Sequence, residues 1–145
     1  MRRKASGVIL FAVFAMLVMS AQSVMAGAGS FQTLTACLKE NPGEPLGTAV
    51  YSSWEKNGRS TLEITVAATG DYEGTYCIYI IDLDGEKTLL EPTLFVDDTG
   101  AGSLMLDTWL EDVIPPIASE WKISLKECGY GPPDVDRIVL CGKFM

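Results

Sequence analysis

Past residue 27 the chain runs in short stretches of alternating apolar and polar residues, and most breaks between them carry a glycine beside an acid or an asparagine. Leu34, Ala36 and Leu38 flank Cys37, and Trp121, Ile123 and Leu125 alternate with Lys122, Ser124 and Lys126. A period of two is that of a half-buried strand. Lys56-Asn57-Gly58-Arg59 predicts a two-residue type I′ hairpin, because Asn-Gly accepts positive φ angles. That loop pairs Trp54 with Thr61, Ser52 with Glu63 and Val50 with Thr65. Ala49, Tyr51, Leu62, Ile64 and Val66 then share an apolar face that turns to the core, which leaves Trp54 on the polar side.

Residues 74–82, "GTYCIYIID", are apolar on both faces, as a central strand would be. Asp84-Gly85 predicts a second corner of the same type, with Ile81 opposite Thr88 and Ile80 opposite Leu89. Residues 97–102 supply a third turn, whose two glycines leave its register open. After the turn "GYGPPD", Ile138, Leu140 and Phe144 carry the alternation to the end. One stretch departs from it. "DTWLEDVIPPIASE" sets Trp109 or Leu110, Val113 and Ile117 at near-helical spacing, with Asp107 as N-cap and Pro115-Pro116 as the stop. It predicts a short helical crossover near 107–117 that covers one end of the sheet. The whole reads as all-β: one antiparallel β-sandwich of about eight strands, Greek-key and immunoglobulin-like or jelly-roll-like, or a barrel of similar size.

The first 26 residues follow other rules. Arg2, Arg3 and Lys4 precede an uncharged, mostly apolar run from 7 to 19, and Val24-Met25-Ala26 offers a cleavage site. This is the layout of a secretory signal peptide over 1–26, with a domain at 27–145. An uncleaved anchor is the alternative, although Ser20, Gln22 and Ser23 interrupt the run before the twenty or so apolar residues a span requires. Arg2-Arg3 also hints at a twin-arginine signal. Without the three basic leader residues, eight cations face 19 acids, a net charge of −11 on 119 residues. An acidic chain without a polybasic run argues against nucleic acid and anionic lipid. Cys37, Cys77, Cys128 and Cys141 are an even set in an exported chain, so disulfides are expected. Three pairings are open; face parity favours Cys37–Cys141 with Cys77–Cys128.

Candidate chemistry is bounded first by the lack of any histidine. Ser-His-Asp and Cys-His nucleophile pairs and imidazole metal sites are thereby excluded. Asp82, Asp84 and Glu86 form one group of possible calcium ligands, and Asp97 and Asp98 another. The EF-hand spacing is not met, because Gly85 follows Asp84 at once and Leu90 stands near the expected distal acid. The competing expectation is that both groups are turn corners. A pair of carboxylates acting as in glycoside hydrolysis would need a cleft and buried acids. Aromatic residues are the better binding candidates: Trp54, Tyr72, Tyr76 and Tyr130, if exposed, suit glycan stacking or protein contact.

The segments "EPLGTAVYSSWEKNGRSTLEITV" and "RIVLCGKF" resemble the opening and closing strands of CHRD-type secreted β-sandwich domains. "VDDTGAGSL" is similar to the acid-glycine hairpin of many small exported sandwiches. CHRD-like and Cu/Zn-dismutase-like domains bear histidines and this chain has none, so the resemblance implies an architecture and carries over no metal or catalytic residue.

The sequence therefore predicts an exported, non-enzymatic domain without cofactor, secreted or held in the periplasm or cell envelope. Its role would be structural or protein-binding; a glycan or small-ligand module around Trp54 is the second reading, and a carboxylate hydrolase a distant third. If the leader is a signal peptide, mass spectrometry of exported protein will find the chain beginning at or near Gly27. A mass that retains residues 1–26 would contradict cleavage.

Overall fold

The computed structural model describes residues 31–128 and 137–145. Within them lie eight antiparallel strands: β1 (Phe31–Lys39), β2 (Pro45–Trp54), β3 (Arg59–Ala67), β4 (Gly74–Ile81), β5 (Lys87–Val96), β6 (Ala101–Asp107), β7 (Lys122–Glu127) and β8 (Val139–Lys143). The strands form one sheet in the order β5-β4-β7-β8-β1-β2-β3-β6. The all-β antiparallel class is as the alternation implies. Of the sandwich and the barrel of similar size that the alternation allows, the fold is nearer the second, because no break divides the sheet into two. The first and last strands join its halves: Lys39 faces Cys141, and Thr35 and Met145 exchange two backbone hydrogen bonds of 3.2 and 3.1 Å.

The sheet curls until it is nearly a barrel. Its two edge strands, β5 and β6, are consecutive in sequence and meet at the turn over residues 97–100, where Asp97 N–H donates to Ala101 O at 2.9 Å. Gly102 lets them approach: a Cβ there would stand 2.6 Å from the carbonyl oxygen of Phe95. Inward-facing residues fill the interior, as eight strands leave room for little else. Leu34, Ala36 and Leu38, Leu62, Ile64 and Val66, Tyr76, Ile78 and Ile80, Ile123 and Leu125, Leu140 and Phe144 are all buried. Outside β4, whose stretch is apolar on both faces, these are the faces selected by period-two alternation. Among the described residues no helix is long and apolar enough to cross a membrane. The leader and the turn "GYGPPD", with Tyr130, lie outside the described residues.

The hairpins at Asn57-Gly58 and Asp84-Gly85 both differ from the expected two-residue form. A type I′ turn requires positive φ at both central residues. Of Asn57 and Gly58 only Gly58 has it, at 68°. The loop is instead four residues long, closed by Gly58 N–H donating to Trp54 O at 2.9 Å and by Arg59 N–H donating to Asn57 Oδ1 at 3.1 Å. Trp54 therefore stands opposite Arg59, and Ser52 opposite Thr61. A slip of two preserves the faces, so the core assignment holds. At the second corner only Gly85 has positive φ, at 86°. Gly85 N–H donates to Asp82 O at 3.1 Å and Asp82 N–H to Glu86 O at 3.0 Å, a type I turn followed by a left-handed residue. Here the slip is one: Ile80 faces Thr88, and Tyr79 faces Leu89. The turn after Asp97 repeats the pattern around Gly100. β5 also bulges, with residues 90–92 against the single residue Ile78. Pro92, which lacks a ladder donor, falls in the bulge.

Cys77 and Cys128 form a disulfide with their Cα atoms 5.4 Å apart, tying β4 to the residue just past β7. Disulfides persist where thiols are oxidised. Cys37 and Cys141 do lie on one outer face of neighbouring strands, but both are thiols. The register places Lys39, not Cys37, opposite Cys141, and both cysteines are held within regular ladders. Cys128, just past the end of β7, donates its N–H to Thr75 O at 2.8 Å and is so held beside Cys77 on β4. The crossover is also smaller than expected: a single 3₁₀ turn, Thr108–Leu110. Asp107 caps it as anticipated, but of the spaced apolar residues only Ile117 is buried.

Leu125→Ala should cost about 2–5 kcal/mol in chemical denaturation, whereas exposed Leu89→Ala should stay within about 0.5 kcal/mol. Equal effects at the two positions would contradict this assignment of inner and outer faces.

Candidate functional site

The outward residues at one end of β1, β2 and β3 form a row. Register puts Phe31 beside Trp54 and Trp54 beside Arg59, one residue from each strand. The rings of Phe31 and Trp54 are 5.0 Å apart between centroids and tilted by 48°. The Arg59 guanidinium lies 5.3 Å from the Trp54 ring centre and 4.4 Å from that of Trp109. It is thus held between two indoles, whose ring faces attract cations.

Asp107 fixes the arginine from the side. Arg59 Nη2 donates to Asp107 Oδ2 at 2.6 Å and Nε to Oδ1 at 3.2 Å, the forked geometry in which guanidinium and carboxylate match. Asp107 Oδ1 also accepts from Trp109 N–H at 3.0 Å, which turns the chain so that the second indole comes over the arginine. Thr108 Oγ1 accepts Ser60 N–H at 2.9 Å and so binds the 3₁₀ turn to β3. Asp112 Oδ2 accepts Asp107 N–H at 2.9 Å. The bond from Arg59, and after it the one from Trp109 N–H, holds the Asp107 carboxyl below its ordinary value of 3.8. The same contact raises the arginine. Both Asp107 oxygens are therefore engaged in an ionised pair, an arrangement suited to positioning rings and not to carrying a proton.

The result is a fixed shelf with an open side. Trp54 is half-buried within the row, while Trp109 remains 59% exposed despite the arginine on its ring. Leu110 and Val113 follow it, 74% and 75% exposed. Three large apolar side chains within five residues thus face solvent.

The other sequence candidates are placed elsewhere. Tyr76 is not a surface residue. It points inward with Ile78 and Ile80, is fully buried, and donates its hydroxyl to Tyr72 O at 2.7 Å; burial pushes its phenol up to about 12. Tyr72 is half-buried at the far end of β1, bonded to Glu40 Oε2 at 3.1 Å. Of the described candidates, Tyr72 and Tyr76 adjoin each other, and neither joins the row around Trp54.

The two acid groups lie at opposite ends of β5. Asp82 Oδ1 accepts Asp84 N–H and Glu86 N–H, at 2.9 and 3.0 Å. Asp97 Oδ1 accepts Thr99 N–H, Thr99 Oγ1–H and Ala101 N–H, at 2.9, 2.6 and 3.1 Å. Those bonds, led by the Thr99 hydroxyl, lower the Asp97 carboxyl. Each leading aspartate thus serves as the brace of its own turn. No group of three or more metal-ligating side chains occurs among the described residues.

Sequence reasoning placed Trp54 but missed its companions. Arg59 was read as the far shoulder of a turn and Trp109 as a core-facing helix position. The signal available was that a four-residue loop would set Trp54 directly against Arg59.

A carboxyl that is depressed on folding lends stability above its unfolded value and loses it as pH falls through the folded one. Thermal melts should therefore show the midpoint dropping below about pH 4, less steeply in Asp107→Asn, whose midpoint is already lower near neutrality. An unchanged acid slope in the variant would contradict the role of the pair. No family model, no curated protein and no solved structure matches this chain, so the likeness to CHRD-type domains rests on the segments quoted above.

Proposed function

We propose that this is an exported binding domain without catalytic activity, acting at the cell envelope or outside the cell, and that a protein partner docks on Trp109, Leu110 and Val113. The observation that carries the reading is the state of Trp109, whose ring is fixed by Arg59 yet more than half exposed. An aromatic anchor held in place before binding loses little freedom on contact, and such residues dominate interface energies. The disulfide agrees with maturation in an oxidising compartment. The absence of histidine and the engagement of Asp107 by Arg59 favour binding over chemistry.

A second reading has support in the same residue. An indole stacked on one side and open on the other also suits a sugar ring, which would make the domain a glycan module.

Immobilised protein should retain a specific component of the envelope fraction that Trp109→Ala loses and Leu89→Ala keeps. Equal retention by both variants would refute the site. Quenching of tryptophan fluorescence by neutral oligosaccharides, abolished in Trp109→Ala, would favour the glycan reading over the protein one.

A further inference from the structure

On the opposite wall of the sheet, the register collects lysines that are scattered in the sequence. One row across the outer face runs Lys87 on β5, Ile81 on β4, Lys122 on β7 and Lys143 on β8. The next row runs Leu89, Tyr79, Ser124, Cys141 and Lys39. Lys126 follows, opposite Cys77. Five of the eight cations beyond the leader thus share one wall, and all five are exposed.

Two features separate this wall from an ordinary solvated face. Lys122 and Lys143 are direct cross-strand partners, and like charges placed so repel. Among the described residues their one acidic contact is Lys143 with Glu120, an exposed pair at 3.9 Å; Lys39, Lys87, Lys122 and Lys126 make no ion pair. The centre of the wall is also recessed. Tyr79, Ile81, Lys87, Ser124 and Lys126 line a cavity of about 150 Å³. The recess offers ammonium groups, two hydroxyls and a half-buried ring.

We propose that this wall binds an anionic saccharide, a chain of uronate-type sugars whose carboxylates lie among the lysines. The hydroxyls of Tyr79 and Ser124 match sugar hydroxyls, and the tyrosine ring matches a sugar face. A flat bilayer would reach the rim lysines but not the recess. An acidic peptide would use the charges and leave both hydroxyls without a counterpart. The surface is distinct from the Trp109 shelf, which lies at the β3–β6 side. The opposed lysines are then explained: they are unfavourable in the free protein and relieved by the ligand.

The test is calorimetric titration of the full chain with a de-esterified galacturonan oligomer at low ionic strength. Binding should weaken steeply as salt rises, because the attraction is between exposed charges. Lys87→Gln with Lys126→Gln should weaken it by roughly tenfold or more. The methyl-esterified oligomer should not bind. Lys122→Gln should also weaken binding while raising the melting temperature, since it removes the opposed pair. The proposal fails if the folded wild type does not bind the acidic oligomer, or if the double variant binds unchanged. It fails equally if polyglutamate, single-stranded nucleic acid or anionic vesicles bind more tightly than the saccharide.

Discussion

Side chains along a strand alternate between two faces, so a slip of one residue in a ladder exchanges what is buried for what is exposed. Everything in this molecule depends on that constraint. One continuous antiparallel sheet curls on itself, and its interior is filled by every second residue of the strands around it. The outer residues are sorted by the same rule. Because β2 and β3 are joined by four residues, Trp54 meets Arg59 and the aromatic row can form. Because β7 lies between β4 and β8, Lys122 stands beside Ile81 on one side and Lys143 on the other.

The two walls show opposite treatments of charge. Arg59 is engaged within the molecule by a forked bond to Asp107 and an indole on each side, and the contact depresses the carboxylate. Its charge is used inside the molecule to set the position of Trp109. The lysines of the other wall have almost no internal partner, in a chain with more than twice as many acids as bases beyond its leader. Net charge alone argues against an anionic partner, but a sheet's local field is set by which residues its ladders gather.

Much of the fold was legible in the sequence. Alternation identified the core faces of β2, β3, β7 and β8, and a slip of two residues at Asn57-Gly58 left them intact. The one-residue slip at Asp84-Gly85 was avoidable in principle. Asp82 to Gly85 and Asp97 to Gly100 share a spacing in which aspartate braces a type I turn and glycine takes the left-handed position after it. Reading the Asp-Gly dipeptide alone hid that repeat. The closure of the sheet was not legible, because the β1–β8 ladder joins residues about a hundred positions apart. Neither was the exposure of Val113, whose helical spacing had no helix to serve. The site was half legible: Trp54 attracted notice by sitting on a polar face, whereas Arg59 and Trp109 became visible only once the register was known. Tyr76 misled because tyrosine suits a core as well as a surface when its hydroxyl has a partner.

The register itself is open to direct measurement. Cross-strand proton contacts from nuclear Overhauser spectroscopy on the folded protein should place Trp54 opposite Arg59, Tyr79 opposite Leu89, and Lys122 opposite Lys143. Contacts pairing Trp54 with Thr61 would contradict the aromatic row, and contacts pairing Ile80 with Leu89 would contradict the place of Lys87 in the lysine wall.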